Sequence, residues 1–95
     1  MQVSNMISSK GNKVANQFVI NDDSNNELYQ SYHAIVAKRY PNGMVELDKK
    51  YWDYSRTTSK YRNMFLNETN QETNYKVKIK VYKLVDLNGE YNAPF

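Results

Sequence analysis

The 95-residue sequence contains no cysteine, and this absence excludes several kinds of site at once. Disulfide bridges, thiolate nucleophiles and cysteine-rich zinc sites all depend on that side chain. A reducing, intracellular compartment is consistent with the composition. We therefore expect a chain without covalent cross-links.

Long apolar segments are also absent. Residues 1–13 are polar and lack the run of ~7 to 15 apolar residues that a secretory signal needs. Elsewhere no stretch approaches the ~18 consecutive apolar residues of a membrane span. We expect a soluble protein that is not exported and has no membrane partner.

The sequence has few residues that could carry catalysis. His33 is its one imidazole and has no metal-ligand partner nearby in sequence, so a histidine packed in a sheet or at its rim is the better interpretation. Glu46 and Asp48 could share a strand face as metal ligands, but Lys49 and Lys50 follow directly, which favours a solvated charged edge. The three glycines are isolated, so no phosphate-binding loop is present. We predict a non-enzymatic protein that needs no metal or cofactor.

Aromatic side chains, by contrast, are plentiful: nine tyrosines, three phenylalanines and one tryptophan. Domains run from ~50 to ~250 residues, so the chain is one domain. So small a domain must bury most of its large side chains, and we expect these rings to supply much of the core. The predicted domain spans residues 1–95, with 1–12 and 89–95 as loosely ordered tails.

Three strands are predicted in the first half of the chain. Residues 14–20 are rich in β-branched and aromatic side chains and stop at a turn rich in Asp and Asn at 21–26. Residues 27–40 resume β character as one strand with both faces partly buried. A turn at 41–43 leads to a short strand at 44–47. Short connections favour an antiparallel meander.

Two helices are predicted in the second half. Residues 55–59 offer several N-cap candidates, and residues at helical spacing follow them: Tyr61, Met64, Phe65 and Glu68. Thr69 and Glu72 fit a capping box, in which the two side chains satisfy backbone N–H groups at a helix start. A second helix is therefore predicted from Asn70 to about Lys78.

Residues 76–81, which overlap the end of this helix, alternate with the period of a half-exposed strand, so the sequence leaves their assignment to helix or strand open. We place the change from helix to strand between Lys78 and Val81, with residues 82–87 as a fourth strand. The predicted fold class is α+β: a small antiparallel sheet of three to four strands with one or two helices packed on one face. The predicted core residues are Val14, Phe18, Ile20, Ile35, Val36, Leu47, Trp52, Tyr61, Phe65, Leu84 and Leu87.

Several segments together resemble a family of small uncharacterised proteins from tailed bacteriophages. They are SKGNKVANQF (9–18), YQSY (29–32), LD (47–48), WDYSRTTSKYRNMFL (52–66) and LVDLN (84–88). The resemblance covers about residues 9–88 and is most specific at 52–66. It implies a phage or prophage protein that acts in the bacterial host cytoplasm, and it carries no activity and no functional residues. Relatives tend to end the second helix near a glycine where this sequence has Ile79 and Lys80.

The middle of the chain interleaves cations with aromatic rings. Cations neutralise phosphates and rings stack on unpaired bases, so this composition is suited to nucleic acid. On a helix that begins near Ser55, Arg56 and Lys60 share a face. The predicted nucleic-acid-binding residues are Lys49, Lys50, Arg56, Lys60 and Arg62.

Two interpretations of this block remain open, because Tyr51, Trp52 and Tyr54 could instead be core residues beside a solvated basic helix face. The net charge of +3 is modest, and the pI of about 9.1 only borders on the range typical of nucleic-acid-binding domains. Our first hypothesis is a phage accessory protein that binds nucleic acid or a host nucleoprotein complex.

A second hypothesis assigns the chain to another class. It is a protein-binding inhibitor of a host defence, for example one that resembles an anti-CRISPR protein, or of a host metabolic enzyme. Exposed tyrosines would then supply the binding energy, since Tyr, Trp and Arg dominate protein interfaces. A minor structural or homo-oligomeric component is a third possibility, and the sequence leaves the oligomeric state open.

Overall fold

The computed structural model describes residues 1–89. Six strands and two helices follow one another along this part of the chain: β1 (Gln2–Ile7), β2 (Lys13–Asn21), β3 (Glu27–Ser31), β4 (Ala34–Arg39), β5 (Val45–Asp48), α1 (Arg56–Leu66), α2 (Asn70–Lys78) and β6 (Lys83–Val85). The predicted tail at 89–95 lies, beyond Gly89, outside the described residues.

All six strands form one sheet in sequence order. Neighbours from β1 to β5 are antiparallel, whereas β6 pairs with β5 in parallel after the chain has crossed over through both helices. The prediction of an antiparallel sheet of three to four strands is therefore wrong, because the sheet is mixed and has six strands. The molecule nevertheless remains in the α+β class.

One reason for the discrepancy is a turn inside the predicted strand 27–40. The chain reverses at Tyr32 and His33 and divides this segment into β3 and β4. Tyr32 adopts a φ of 56°, a left-handed conformation that turns usually give to Gly or Asn. Its N–H donates to Asn16 O at 2.7 Å, which anchors the turn on β2. Because this turn contains neither Gly nor Pro, the sequence pattern runs through it without interruption.

The second reason is β1, which occupies part of the segment expected to be a loosely ordered tail at 1–12. Most of its side chains are exposed, and Met6 is the one buried residue in it. The strand pairs with β2 from Gln2, which faces Asn21, to Ile7, which faces Lys13. Backbone hydrogen bonds rather than apolar burial therefore hold this edge, so it lacks the alternation by which a strand is found in sequence.

Both helix starts confirm the predictions. Ser55 caps α1 and accepts a hydrogen bond from Thr58 N, while Thr69 and Glu72 form both bonds of the capping box at the start of α2. The second helix ends at Lys78 as predicted. Lys80 then takes a φ of 64°, the left-handed conformation in which glycine often follows a helix.

The core lies between the helices and one face of the sheet. Tyr29 in β3 and Phe65 in α1 meet with ring centroids 6.1 Å apart. The buried apolar residues are Met6, Tyr29, Val36, Ala37, Val45, Leu47, Tyr61, Phe65 and Tyr82. Partly buried side chains, including those of Val14 and Trp52, pack against this cluster. Rings do supply much of the core, although they share it with aliphatic side chains from four strands.

Four of the predicted core residues are buried: Val36, Leu47, Tyr61 and Phe65. Phe18 and Ile20 alternate along β2 with Val19, which packs against the core, so they lie on the opposite face of the sheet. Phe18 pairs with Gln30, and Gln30 pairs with Ile35, so the Ile35 side chain also lies on the face away from the core. Leu84 is 40% exposed, because β6 is an edge strand with no layer packed over it. Leu87 is half-buried.

Candidate functional site

Four of the predicted cations lie at the surface between the end of β5 and the second turn of α1. Lys49 and Lys50 follow β5 directly, and Arg56 is the first residue of α1. Lys60 comes four residues later on the same face of the helix. All four side chains are exposed, so the structure presents them to solvent as one basic segment.

Arg62 does not belong to this surface, because its side chain is only 1% exposed. One guanidinium nitrogen donates to the carbonyl oxygen of Trp52, and another donates to Asn70 Oδ1 at 2.8 Å. Burial lowers the pKa of Arg62, and the nearby carboxylates of Asp53 and Glu68 oppose that shift. The side chain therefore fastens the loop before α1 and cannot reach a phosphate outside the protein.

Next to the basic segment lies a concave site of about 440 Å³ at the end of the β3–β4 hairpin. We call it the aromatic cavity. The residues that line it are Ser31, Tyr32, His33, Ala34, Val36, Tyr51, Tyr54, Ser55, Thr58 and Asn88. Three tyrosine rings and one imidazole thus surround a space comparable with small ligand pockets.

The exposed rings of the cavity are those of Tyr32 and Tyr54, at 55% and 66% exposure. Tyr51 is half-buried, and its ring lies 5.3 Å from that of Tyr54 at an angle of 59°. A side chain that packs against the core therefore supports an outer ring that faces solvent. Exposed rings of this kind can stack on a planar partner without disturbing the core.

The loop that carries Tyr51 and Tyr54 is held by the carboxylate of Asp48 at the end of β5. Its Oδ2 accepts from the backbone N–H groups of Lys50 and Tyr51, both at 3.0 Å, and its Oδ1 accepts from Leu87 N at 2.8 Å. Asp48 is 1% exposed, and each of these bonds is charge-assisted. One buried carboxylate therefore fixes both the loop at 49–54 and the segment after β6.

Asn88 closes the other side of the cavity. Its amide oxygen accepts from Ile35 N at 2.7 Å, and its amide nitrogen donates to Ile35 O at 3.0 Å. Through these two bonds the Asn88 side chain pairs with β4 as a neighbouring strand would. It does so at Ile35, beyond the part of β4 that pairs with β5. Asn88 therefore brings the segment after β6 to the β3–β4 hairpin, although the two are far apart in sequence.

Cations lie close to these rings. Lys50 Nζ lies 5.1 Å from the centroid of the Tyr51 ring in the cavity, whereas Lys60 Nζ lies 5.3 Å from that of Tyr61, a buried core residue. Arg56 directly follows Ser55, which lines the cavity. The arrangement places positive charge and exposed aromatic faces side by side, the combination that contacts phosphate and unpaired bases.

The side chains that the sequence offered for acid–base or metal chemistry are His33, Glu46 and Asp48. His33 is exposed on the cavity wall, at a rim as expected, and the described residues contain no group of three His, Cys, Asp or Glu side chains able to hold a metal ion. Glu46 accepts a hydrogen bond from the Tyr40 hydroxyl at 2.6 Å, while Asp48 serves backbone donors. The favoured interpretation of this pair as a solvated charged edge is therefore wrong at Asp48, whose side chain is 1% exposed.

The sequence pattern did not indicate Tyr32, His33 or Asn88 as site residues. They come from the β3–β4 turn and from the chain after β6, and only the sheet register brings them to the loop at 49–54. The prediction that Arg62 binds nucleic acid could have been avoided from helical spacing. Arg62 lies four residues after Thr58 and three before Phe65, so it falls on the inner face of α1 with them.

Fold and site together define a small α+β protein with an aromatic cavity bordered by exposed cations. The chain belongs to a family of unknown function, DUF8033, whose model matches residues 1–81. No curated protein and no solved structure matches the sequence. Among residues 1–89, neither helix has the length and apolar character needed to cross a bilayer.

Proposed function

We propose that this protein binds single-stranded nucleic acid at the aromatic cavity and acts as a non-enzymatic accessory protein. The observation that carries the proposal is the concave site of about 440 Å³, in which tyrosine rings adjoin an exposed basic segment. Exposed rings stack on bases that are not paired, whereas a duplex hides its base faces. Single strands are therefore favoured over duplexes.

The charges suit contact with a few phosphates. The rings are flanked by four cations: Lys49, Lys50, Arg56 and Lys60. A protein that neutralises about four phosphates of a single strand shows a slope near −3 when log affinity is plotted against log salt concentration. The excess of cations over acids is small in the whole chain, at 13 against 10. Affinity should therefore depend on this local segment and not on overall charge.

The biological setting is proposed from the resemblance of residues 9–88 to proteins of tailed bacteriophages. It supports a phage or prophage product that meets nucleic acid, or a host nucleoprotein complex, in the bacterial host cytoplasm. The absence of cysteine from the sequence is consistent with that compartment.

The test is fluorescence anisotropy with a labelled single-stranded oligonucleotide of about 15 nucleotides and a duplex of the same length, at about 50 and 150 mM salt. We expect micromolar or tighter binding to the single strand, weaker binding to the duplex, and a linear loss of log affinity with log salt. Absence of binding at the lower salt concentration would refute the proposal.

Two kinds of variant locate the contact. Arg56→Glu with Lys60→Glu should abolish binding, whereas Lys10→Glu with Lys13→Glu, which changes the net charge equally at residues that do not line the cavity, should leave most of it. Tyr54→Ala removes an exposed ring and should weaken binding about tenfold. Tyr32→Gly should act similarly while preserving the turn, because glycine tolerates the positive φ.

A second candidate function, a protein-binding inhibitor of a host defence or metabolic enzyme, is favoured by a different observation. Large apolar side chains are exposed outside the cavity at Tyr75, Ile79, Val81 and Leu84. Exposed apolar groups in one region mark contact sites for proteins. This function would show itself as a stoichiometric complex that resists polyanion competitors.

A further inference from the structure

A second concave region lies between the turn after α2 and the edge strand β6. Its volume is about 440 Å³. We call it the lysine groove, and the residues that line it are Val77, Lys80, Tyr82, Lys83, Leu84 and Val85. None of them lines the aromatic cavity, so the two sites are built from separate residues.

Aliphatic side chains form the floor and border of this groove. Leu84 is 40% exposed, and Ile79 and Val81 in the preceding turn are 48% and 58% exposed. Val77 and Val85 are only partly buried beneath them. Solvent-exposed aliphatic groups that cluster around a concavity can accept an apolar side chain from a partner.

The charge around the groove is mostly positive, although Glu46 on β5 pairs in register with Lys83. Lys80 and Lys83 line it, Lys78 is exposed nearby, and no acidic residue occurs from 73 to 85. The acids that flank this stretch are already engaged, since Glu68 Oε2 receives Lys76 Nζ at 2.7 Å and Asp86 Oδ1 receives Asn88 N at 3.1 Å. The occupant that complements this groove is therefore anionic.

The backbone of β6 indicates that the occupant is an extended peptide. Among residues 1–89, β6 pairs with β5 on one side and with no strand on the other. An edge of this kind can accept an extended peptide, whose main chain forms hydrogen bonds while alternate side chains enter pockets. Lysine on an edge strand deters pairing with other strands, and the carboxylates of an acidic strand would offset the positive charge of Lys83.

We infer that the lysine groove binds an extended acidic segment of a protein partner, which adds to β6 as a seventh strand. An aliphatic side chain of that segment enters the space above Val77 and Leu84, and its carboxylates pair with Lys80 and Lys83. A membrane surface is flat and a nucleic acid has no peptide backbone, so neither matches a concave site beside a strand edge. The inference does not depend on nucleic-acid binding at the aromatic cavity.

The probe is a fluorescein-labelled peptide of about eight alternating glutamate and leucine residues, titrated with the full chain at about 0.15 M salt. We expect a Kd of about 100 μM or tighter. Three matched peptides separate the contributions: one with glutamine for glutamate, one with serine for leucine, and one N-methylated at alternate residues to remove main-chain donors. Each should bind at least about tenfold more weakly.

Variants of the protein assign the site. Lys80→Glu with Lys83→Glu, and separately Leu84→Ser, should each weaken the acidic peptide about tenfold or more. Lys10→Glu with Lys13→Glu is the matched control, because it changes the net charge as much at the opposite edge of the sheet and should have little effect. Circular dichroism establishes that each variant is folded.

Three outcomes would overturn the inference. The first is no binding of the acidic peptide up to about 1 mM. The second is equal binding of the N-methylated peptide, which would leave an ionic contact without strand addition. The third is stronger binding of vesicles with anionic lipids or of a single-stranded oligonucleotide, lost in the same Lys80 and Lys83 variant, which would assign the groove to another class of partner.

Discussion

Arg62 illustrates, at the scale of one residue, how a charged side chain can serve as part of a small core. It is the largest fully buried side chain among residues 1–89 and binds Trp52 O, Asn63 Oδ1 and Asn70 Oδ1. Its guanidinium carbon also lies 5.6 Å from the centroid of the Trp52 ring. One side chain thereby joins α1, the start of α2 and the loop beside the aromatic cavity.

Arg62→Met should therefore lower the free energy of unfolding by about 3 kcal/mol, because it leaves buried oxygen atoms without donors. Arg62→Lys should restore little, since an ammonium group cannot reach all three acceptors. Urea denaturation monitored by Trp52 fluorescence measures the free energy of unfolding of both variants. Lys60→Met, two residues away on the exposed side of α1, is the control and should change stability by less than about 0.5 kcal/mol. Equal effects at the two positions would contradict the structural role of Arg62.

Glu68 is a buried carboxylate whose ionisation depends on its neighbours. Burial opposes its charge, but hydrogen bonds from Lys76 Nζ at 2.7 Å and Thr73 Oγ1 at 2.9 Å outweigh burial and hold the pKa of Glu68 below its ordinary value of 4.5. The pKa of Lys76 is raised by the same contact. A lowered carboxyl pKa stabilises the fold above the unfolded-state pKa, and this contribution is lost as the pH falls through the folded-state pKa.

We expect Glu68→Gln to cost about 1 to 3 kcal/mol at pH 7 and to reduce the loss of stability below pH ~4.5, so that the variant and the natural chain converge in acid. Lys76→Gln should be the more damaging variant at pH 7, because it leaves a charged carboxylate buried without its cation. Urea midpoints measured from pH 3 to 7 test this. Parallel pH profiles for Glu68→Gln and the natural chain would contradict it.

At the scale of elements, sequence patterns located those segments whose signals are local. The starts of α1 and α2 are encoded by Ser55, Thr69 and Glu72, within three residues of the backbone groups that they satisfy. The division of 27–40 is not local, because the left-handed turn at Tyr32 is stabilised by Asn16 O on another strand. Likewise β1 has no apolar alternation and depends on pairing with β2.

The same distinction applies to the candidate site. The cations and rings of residues 49–60 occupy one continuous segment, so composition and helical spacing sufficed to single them out. The rest of the aromatic cavity comes from the β3–β4 turn and from Asn88, which meet through a contact between residues 53 positions apart. No local pattern encodes such a contact, and so the cavity could not be predicted from sequence.

The capping box gives a prediction for α2 as an element. Thr69→Ala removes the hydroxyl that accepts Glu72 N at 3.1 Å and should destabilise the protein by about 1 kcal/mol. Gln71→Ala lies two residues further on an exposed face and should cost nothing measurable. Urea denaturation of the two variants compares them directly. A loss of stability in Gln71→Ala as large as in Thr69→Ala would contradict the assignment of the Thr69→Ala effect to the cap.

At the scale of the whole molecule, the chain after α2 is tied to the sheet by contacts that span long stretches of sequence. Asp48 Oδ1 accepts from Leu87 N at 2.8 Å, and β6 pairs in parallel with β5. Asn88 joins the same segment to Ile35. These contacts couple the sheet, both helices and the loop at 49–54, so neither the helices nor the cavity should open independently of the sheet.

We therefore expect a single cooperative transition, in which Trp52 fluorescence, reporting on the loop, and far-UV circular dichroism, reporting on all elements, give the same urea midpoint. Asp48→Ala removes a buried acceptor of three backbone donors and should lower both midpoints together, at a cost of about 2 to 4 kcal/mol. Asp23→Ala, at an exposed ion pair with the N-terminus, should change neither appreciably. If Trp52 fluorescence changed at lower urea than the circular dichroism, the loop and cavity would unfold separately, and the coupling through Asp48 and Asn88 would be too weak to make the fold one unit.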